Sequence, residues 1–146
     1  MNATPAYFAD TAFWIALAHR YDQHHTQASA WGKYLIQQKA VILTAEAVLW
    51  EWMNALAAAG TRRTTAEGYR RCHRDPNIEV VPFASDRIAE AVRIYEGRAD
   101  KDWSLTDCLS FLVMEQHQIP RALTTDRHFQ QAGFEAVLLV DPPTTA

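Results

Sequence analysis

The amino-acid sequence predicts an α/β fold, a three-layer α/β/α sandwich in which helices cover both faces of a mostly parallel sheet. Short apolar runs alternate along the chain with longer segments that carry apolar residues at helical spacing. The connections between these segments are short, and neither an internal repeat nor a low-complexity tract interrupts the alternation. Strands that are separated by helices pair in parallel, because each helix carries the chain back to the start of the next strand.

The first third of the chain contains two predicted strands and two predicted helices. Residues 6–9 (AYFA) form a short apolar run, and the segment that follows has Phe13 and Leu17 on one helical face. Residues 21–38 predict a second helix, and residues 40–44 (AVILT) predict the second strand.

Two further helices are predicted after the second strand. The segment 45–59 (AEAVLWEWMNALAAA) places Trp52 and Leu56 on one face, and Gly60 is expected to end this helix as its C-cap. The next segment, 61–75 (TRRTTAEGYRRCHRD), predicts a basic helix.

The second half repeats the alternation. Residues 78–83 (IEVVPF) predict a strand, and residues 85–98 predict a helix with Ser85 as its N-cap. Three apolar residues of this helix, together with Ala91, are expected to face inward: Ile88, Val92 and Tyr95.

The last part of the chain begins with SLTDCLSF, which predicts a helix that opens with Ser104 as N-cap and Asp107 in the capping-box position. A short strand at 122–125 (ALTT) and a short helix that Gly133 ends come next. A final strand is expected at residues 135–140, and the tail 141–146 is expected to be disordered.

The composition fits one globular domain that covers residues 1–146. Apolar residues make up 49% of the chain and charged residues 21%, which is typical of a folded protein and not of a disordered one. The net charge of −3 means that any nucleic-acid binding must depend on a local basic patch. The two cysteines lack the spacing of a metal site or a disulfide framework. No signal peptide or membrane span is recognised, so a cytoplasmic location without membrane attachment is expected.

Four acidic residues are predicted to converge on one edge of the sheet. Asp10 and Asp126 each follow a predicted strand, and Asp107 lies in the first turn of a helix. Glu51 lies inside a helix, on a face that it shares with the small residue Ala47 and with Asn54. Ligands of parallel sheets bind outside the carboxyl ends of the strands, where these acids are expected.

A simpler explanation exists for each acid taken alone. An aspartate at a helix N-terminus caps free N–H groups and complements the helix dipole, and a single glutamate within a helix is usually solvated. The convergence of all four acids is what favours a functional site over these explanations.

Clustered carboxylates repel each other, and a hard divalent cation relieves the repulsion. Mg²⁺ and Mn²⁺ both accept oxygen ligands, and such a site favours phosphoryl transfer because the ion polarises a phosphate and activates a water. Four hydroxyl residues flank the acids and are expected to orient them or the water ligands of the ion: Thr11, Ser104, Thr106 and Thr125.

Several motifs resemble those of the PIN domain family, in particular the VapC-type toxins of bacterial toxin–antitoxin pairs. They are D10-T11 after a strand, E51-W-M-N54-A-L56, S104-L-T106-D107-C and T124-T-D126. The resemblance extends from about Tyr7 to Val140. It implies an α/β/α sandwich and a metal-dependent endoribonuclease, with Asp10, Glu51, Asp107 and Asp126 as the catalytic, metal-binding acids. It also implies a homodimer and an antitoxin partner. Glu46 competes with Glu51, but the E-x-x-N-x-L pattern fits Glu51.

A local group of arginines is the candidate surface for RNA phosphates. A solvated helix face explains the same arginines equally well. The residues are Arg62, Arg63, Arg70, Arg71, Arg74 and Arg127.

Two other functions remain open at this point. The first is a catalytically silent scaffold of the same fold that binds RNA or protein, although such a scaffold has no reason to keep four repelling acids. The second is a phosphorylated receiver-type switch. It ranks low because that switch needs an aspartate after the third strand, where this sequence has Ala84 and Ser85.

Overall fold

The computed structural model describes residues 3–144 and confirms the predicted α/β/α sandwich. Its central sheet has five strands, which pair in parallel throughout in the order β3-β2-β1-β4-β5. The strands are β1 (Ala6–Ala9), β2 (Val41–Ala45), β3 (Ile78–Val81), β4 (Arg121–Leu123) and β5 (Glu135–Ala136).

Helices cover both faces of this sheet. Within residues 3–144 they are α1 (Thr11–Ala18), α2 (His25–Gln37), α3 (Glu46–Ala55), α4 (Ala59–Arg74), α5 (Ser85–Gly97), α6 (Leu105–Gln116) and α7 (Arg127–Gln131). In this part of the chain, no helix combines the length and the apolar character that crossing a membrane requires.

The order of the strands reverses between β1 and β4. The chain adds β2 and β3 on one side of β1 and then returns to add β4 and β5 on its other side. A parallel sheet of this kind has a crevice at the carboxyl ends of the two strands where the order reverses. The backbone N–H of Asp10 donates to the carbonyl of Leu123 at 3.3 Å, which joins β1 to β4 at this crevice.

The core lies on both sides of the sheet and encloses α6. Phe8, Leu43 and Leu123 are fully buried members of β1, β2 and β4. Eight consecutive residues of α6, from Asp107 to Met114, are buried, as expected for a helix that protein surrounds on nearly all sides. The helix that carries one of the four acids is therefore held rigidly by packing.

Several element boundaries differ from the sequence prediction. Helix α2 begins at His25, and Gly60 is the second residue of α4, so the prediction that Gly60 caps the preceding helix was wrong. Helix α3 ends at Ala55 and is capped at Leu56 instead. Ser85 is the first residue of α5, whose N-cap is Ala84.

The inward face of α5 was also predicted incorrectly in part. Ala91 is buried, but Val92 and Tyr95 are 42% and 55% exposed. Ile94 packs against the core in their place. The apolar spacing of α5 fits either face, and only tertiary packing selects one.

The end of the chain is more irregular than a strand. Strand β5 contains only Glu135 and Ala136, and a 3-10 helix at Val137–Leu139 follows it. The Trp31 indole N–H donates to the carbonyl of Val140 at 2.9 Å, which fixes the chain up to that residue. Residues 141–144 have no regular secondary structure, and the rest of the predicted disordered tail, 145–146, lies outside the described residues.

Helix α4 offers a test of the packing between α3 and α4. A methyl group on Gly68 would lie 2.5 Å from Cη2 of Trp52, a ring that is buried and stacked on Trp14 with 5.9 Å between ring centroids. We therefore expect Gly68→Ala to lower the free energy of unfolding by about 1–3 kcal/mol, because the stacked rings leave no space.

Gly60 is a matched control in the same helix, because a methyl group there meets nothing within 4 Å. Gly60→Ala should be neutral or stabilise the protein by up to about 1 kcal/mol. Urea unfolding of both variants measures the difference. Equal stability of the two variants would contradict the packing that the structure shows around Gly68.

Candidate functional site

Asp10 is held by a threonine rather than by a helix terminus. It occupies the N-cap position of α1, yet its side chain makes no capping hydrogen bond. Instead, Thr124 Oγ1 donates to Asp10 Oδ2 at 2.8 Å. Asp10 is 7% exposed. Capping therefore does not explain Asp10, and its carboxylate is buried at the crevice between β1 and β4.

The buried position of Asp10 makes its charge costly. Burial raises the pKa of Asp10 from 3.8 to about 7. The hydrogen bonds from Thr124 and from the Thr11 backbone oppose this increase, and the charges of Asp107 and Glu51 add to it. In the absence of a cation, burial thus favours the protonated form of Asp10.

Asp107 does cap its helix, as the sequence predicts. The Asp107 N–H donates to Ser104 Oγ at 3.0 Å, and Asp107 Oδ2 accepts from the Ser104 N–H at 3.1 Å. Nδ1 of His128 also lies 3.0 Å from Oδ2. Among the described residues, no hydrogen bond to Oδ1 of Asp107 is formed, so the capping box orients this carboxylate and leaves one oxygen available.

Asp126 caps α7 and is tied to Asp10 through Thr124. Asp126 Oδ1 accepts from the His128 N–H at 2.9 Å, while the Asp126 N–H donates to Thr124 Oγ1 at 3.1 Å. The Thr124 hydroxyl thus accepts from one acidic residue and donates to the other. Because Thr124 is fully buried, this bridge fixes the two loops that follow β1 and β4.

Glu51 reaches the other acids from α3. Its side chain is accessible to solvent, but partial burial is the main cause that raises its pKa, and the charges of Asp107 and Asp126 raise it further. The nearby hydroxyls of Thr11 and Thr106 lower it. Glu46 points elsewhere, with Oε1 3.4 Å from Nε2 of His73 on α4. The structure therefore brings Glu51, and not Glu46, to the aspartates.

The arrangement of donors suits a hard cation. The charges of Asp107 and Glu51 raise the pKa of Asp10, and the charges of Asp107 and Asp126 raise that of Glu51, so the four acids lie near one another. Thr11 Oγ1 is buried beside Asp10 and lies near the Glu51 carboxylate, without a hydrogen bond of good geometry to either acid. Potential ligand atoms of Asp107, Asp126 and His128 all lie within 4.8 Å of one another. Mg²⁺ and Mn²⁺ bind the oxygens of carboxylates, hydroxyls and water, and this site offers the first two and leaves room for the third.

The other predicted supporting residues are distributed around this site. Asn54 and Thr106 line a groove between α3 and α6 together with Glu51. Thr125 is half-buried between Thr124 and Asp126. Thr124 was missed by the sequence analysis, which considered Thr125 instead, since strand β4 ends at Leu123 and not at Thr125.

The groove between α3 and α6 has a volume of about 300 Å³ and an apolar wall. Trp50 and Phe83 meet edge to face with 5.5 Å between ring centroids, and they are 59% and 45% exposed. Leu105 is 41% exposed at the same groove. The α3–α6 groove therefore joins exposed apolar side chains to an acidic site.

The predicted RNA-binding arginines are all exposed but differ in their partners. Arg70 and Arg74 both contact the Glu67 carboxylate, whose pKa the Arg74 guanidinium holds below its usual range. Arg62 donates to the carbonyl of Ala57. Arg63 and Arg71 border a separate cavity beside Trp52. Arg127 directly follows Asp126 and makes no salt bridge within residues 3–144.

The chain is similar to known proteins over most of its length. The family model described as "PIN domain" matches residues 7–135. Two curated relatives from Mycobacterium tuberculosis, strains CDC 1551 / Oshkosh and ATCC 25618 / H37Rv, are named 23S rRNA-specific endonuclease VapC20. The chain is 30% identical to each over 131 residues, which cover 89% of this chain and 96% of the relative.

A solved structure is similar as well. The crystal structure of VapC20 from M. tuberculosis, described as a sarcin-ricin loop cleaving toxin, matches with a TM-score of 0.78 and 28% identity. The match covers 90% of this chain and 98% of that chain.

The raised pKa of Asp10 predicts an unusual pH dependence of stability in the metal-free protein. Since the folded-state pKa is about 7 and the ordinary value is 3.8, the folded state binds more protons than the unfolded state between these values. The free energy of unfolding should therefore fall as pH rises through this window. We expect Asp10→Asn to stabilise the metal-free protein by about 1–3 kcal/mol at about pH 8 and by little at about pH 4.

Urea unfolding with a chelator present, repeated across this pH range, measures the effect. Glu90→Gln, a change at an exposed acid of α5, is the control and should leave the wild-type slope intact. Parallel pH profiles for wild type and Asp10→Asn would show that Asp10 is not a buried, uncompensated carboxyl group.

Proposed function

This chain belongs to the PIN domain family, and we propose that it is a metal-dependent endoribonuclease that acts as the toxin of a toxin–antitoxin pair. The observation that carries the proposal is the convergence of four carboxylates at the crevice between β1 and β4. The similarity to an endonuclease over nearly the full length of both chains supports it.

Asp10, Glu51, Asp107 and Asp126 are the residues that would hold the cation, Mg²⁺ or Mn²⁺. When bound, the ion would polarise the phosphate of the substrate and lower the pKa of a water for the hydrolysis of a phosphodiester bond. The unpartnered hydroxyl of Thr11 is placed to contact this assembly. The donor set supports the assignment because it combines several oxygen ligands with exposure on the Glu51 side.

The protein's own side chains orient the acids and accept a proton in the proposed reaction. Thr124 keeps Asp10 in one orientation, and Ser104 does the same for Asp107, so neither carboxylate must reorganise when the substrate binds. Glu51 is the most solvent-accessible of the four acids and has a raised pKa. These properties suit its carboxylate to accept a proton from the attacking water.

We propose ribosomal RNA as the substrate class, with the sarcin-ricin loop of 23S rRNA as the specific target. The names of the similar proteins support this target. Exposed Trp50 beside Glu51 offers a surface on which an unstacked base can lie, which is how proteins commonly contact single-stranded loops of RNA. Such a substrate places the reaction in the cytoplasm.

Two protein partners follow from the same proposal. An antitoxin is expected to cover the acidic site, and the exposed apolar side chains of the α3–α6 groove would give its chain a hydrophobic anchor. A homodimer is also proposed, for which Val92 and Tyr95 supply exposed apolar area on α5.

Replacing the acids tests the proposed reaction. We expect Asp10→Asn and Asp107→Asn each to lower the rate of RNA cleavage by at least about 100-fold, because the positions that hold the cation lose charge. The substrate is a stem-loop RNA with the sarcin-ricin sequence, assayed with Mg²⁺ or Mn²⁺ and with a chelator. Glu115→Gln, at an exposed acid near the far end of α6, is the control and should cleave like wild type.

Each outcome has a distinct meaning. If wild type cleaves other RNAs but not this stem-loop, the proposed target is wrong and the nuclease proposal stands. If pure wild type binds the RNA and cleaves nothing at any metal concentration, the catalytically silent scaffold is the better description. Unchanged cleavage by either aspartate variant would remove that residue from the site.

Arg127 should contribute to RNA binding more than Arg70 and Arg74 do. It directly follows Asp126 and makes no salt bridge within residues 3–144, whereas Arg70 and Arg74 share Glu67. In the Asp10→Asn background, which leaves the RNA intact, Arg127→Gln should weaken RNA binding several-fold. The slope of log K against log salt concentration should fall by about one, which corresponds to the loss of one phosphate contact.

Fluorescence anisotropy across a range of salt concentrations measures both quantities. Arg98→Gln is a matched control because Arg98 is already paired with Asp100 and lies over Trp103. An equal loss of affinity in both variants would indicate a general effect of charge rather than a contact made by Arg127.

A further inference from the structure

His128 lies among the acids of the candidate site, and nothing in the proposed reaction uses it. Its Nδ1 is 3.0 Å from Oδ2 of Asp107 and 3.5 Å from Oδ1 of Asp126. The side chain is 30% exposed. His128 is thus the one nitrogen donor in the group of described residues whose ligand atoms cluster within 4.8 Å.

The backbone holds His128 firmly in this place. Its N–H donates to Asp126 Oδ1 at 2.9 Å, and the next residue, Phe129, is fully buried. Phe129 packs against Phe111 of α6 with 4.9 Å between ring centroids. Because α6 also carries Asp107, this contact sets the position of the imidazole relative to the Asp107 carboxylate.

The distances suit a shared ion. Two ligands that each lie about 2.1 Å from one metal ion are about 3.0 Å apart at neighbouring positions of an octahedron and about 3.4 Å apart in a tetrahedron. The separations of Nδ1 from the two carboxylate oxygens, 3.0 and 3.5 Å, fall at these values. Replacing a hydrogen bond by two bonds to a metal ion therefore needs little movement of the side chains.

We propose that His128 is a nitrogen ligand of the bound cation, together with Asp107 and Asp126. The proposal rests on the metal-dependent function above and makes it more specific. Imidazole is a good ligand for Mn²⁺, Co²⁺ and the later transition metals, whereas Mg²⁺ strongly prefers oxygen. The site consequently binds Mn²⁺ and Co²⁺ in preference to Mg²⁺, and His128 determines that selectivity.

An alternative role for His128 is that of a positioning residue, which only donates a hydrogen bond to Asp107. The two roles predict different effects of the substitution His128→Asn. The amide nitrogen of Asn occupies nearly the same place as Nδ1 and can still donate to Asp107, but it is a poor metal ligand. His128→Asn therefore keeps the hydrogen bond to Asp107 and removes the nitrogen ligand of the metal ion.

The decisive measurement is the pulsed electron paramagnetic resonance spectrum of Mn²⁺ bound to the RNA-free protein, because it detects coupling to a directly bound imidazole nitrogen. Wild type should show this coupling, and His128→Asn and His128→Ala should not. By calorimetry, both variants should bind Co²⁺ at least about 10-fold more weakly than wild type, while Mg²⁺ affinity should change less than about threefold.

His117→Asn is the matched control, since the Nδ1 of His117 contacts a backbone carbonyl of α6, that of Val113, at 2.9 Å. It should retain the nitrogen coupling and both affinities. If wild type binds Mn²⁺ without nitrogen coupling, or if His128→Asn binds Co²⁺ like wild type, then His128 is not a ligand. If wild type binds none of the three ions, the metal dependence of the proposed function itself is wrong.

Discussion

The hydroxyl of Thr124 is the interaction on which the site depends. It donates to Asp10 and accepts from the backbone of Asp126, so one buried side chain joins the two loops at which the strand order of the sheet reverses. A buried hydroxyl that makes both bonds is fully satisfied and stabilises a single arrangement. The parallel pairing of β1 and β4 brings the two acids to one edge, and Thr124 then links the Asp10 carboxylate to the backbone of Asp126 through two hydrogen bonds.

Asp107 and Glu51 are also held in place by interactions within the folded protein. Asp107 is held by a capping box on α6, a helix whose residues from Asp107 to Met114 are buried. The Trp14–Trp52 stack holds α3, which carries Glu51, against α1. Each acid is therefore placed by an element with its own packing, and mutual repulsion among the acids is resisted by the core. Such preorganisation is what a site for a developing charge requires.

Sequence reasoning predicted the strands, the parallel sheet and the convergence of the four acids, because these follow from periodicity and from the positions of acids relative to strand ends. It could not choose between two adjacent faces of α5, since Ile88, Val92 and Tyr95 occupy one face at helical spacing and Ile94 occupies the other, with Ala91 at their border. It predicted Gly60 to be a C-cap because glycine commonly ends helices, whereas Gly60 is the second residue of α4. Thr124 and His128 were missed as site residues because their roles depend on contacts with Asp10 and Asp107, which lie far away along the chain.

The cost of burying Asp10 would couple the proposed cation to the protonation of the protein. Asp10 would have to lose its proton before its carboxylate could hold the ion, and burial raises the pKa of this group to about 7. In the proposed function, binding of the cation would therefore release protons near neutral pH, and the affinity of the site for the cation would depend on pH. The metal-free protein can keep Asp10 neutral, which removes its repulsion with Asp107 and Glu51. In the proposed function, the chemistry would thus be confined to the metal-loaded state, in which the carboxylates are charged and the cation balances their charge.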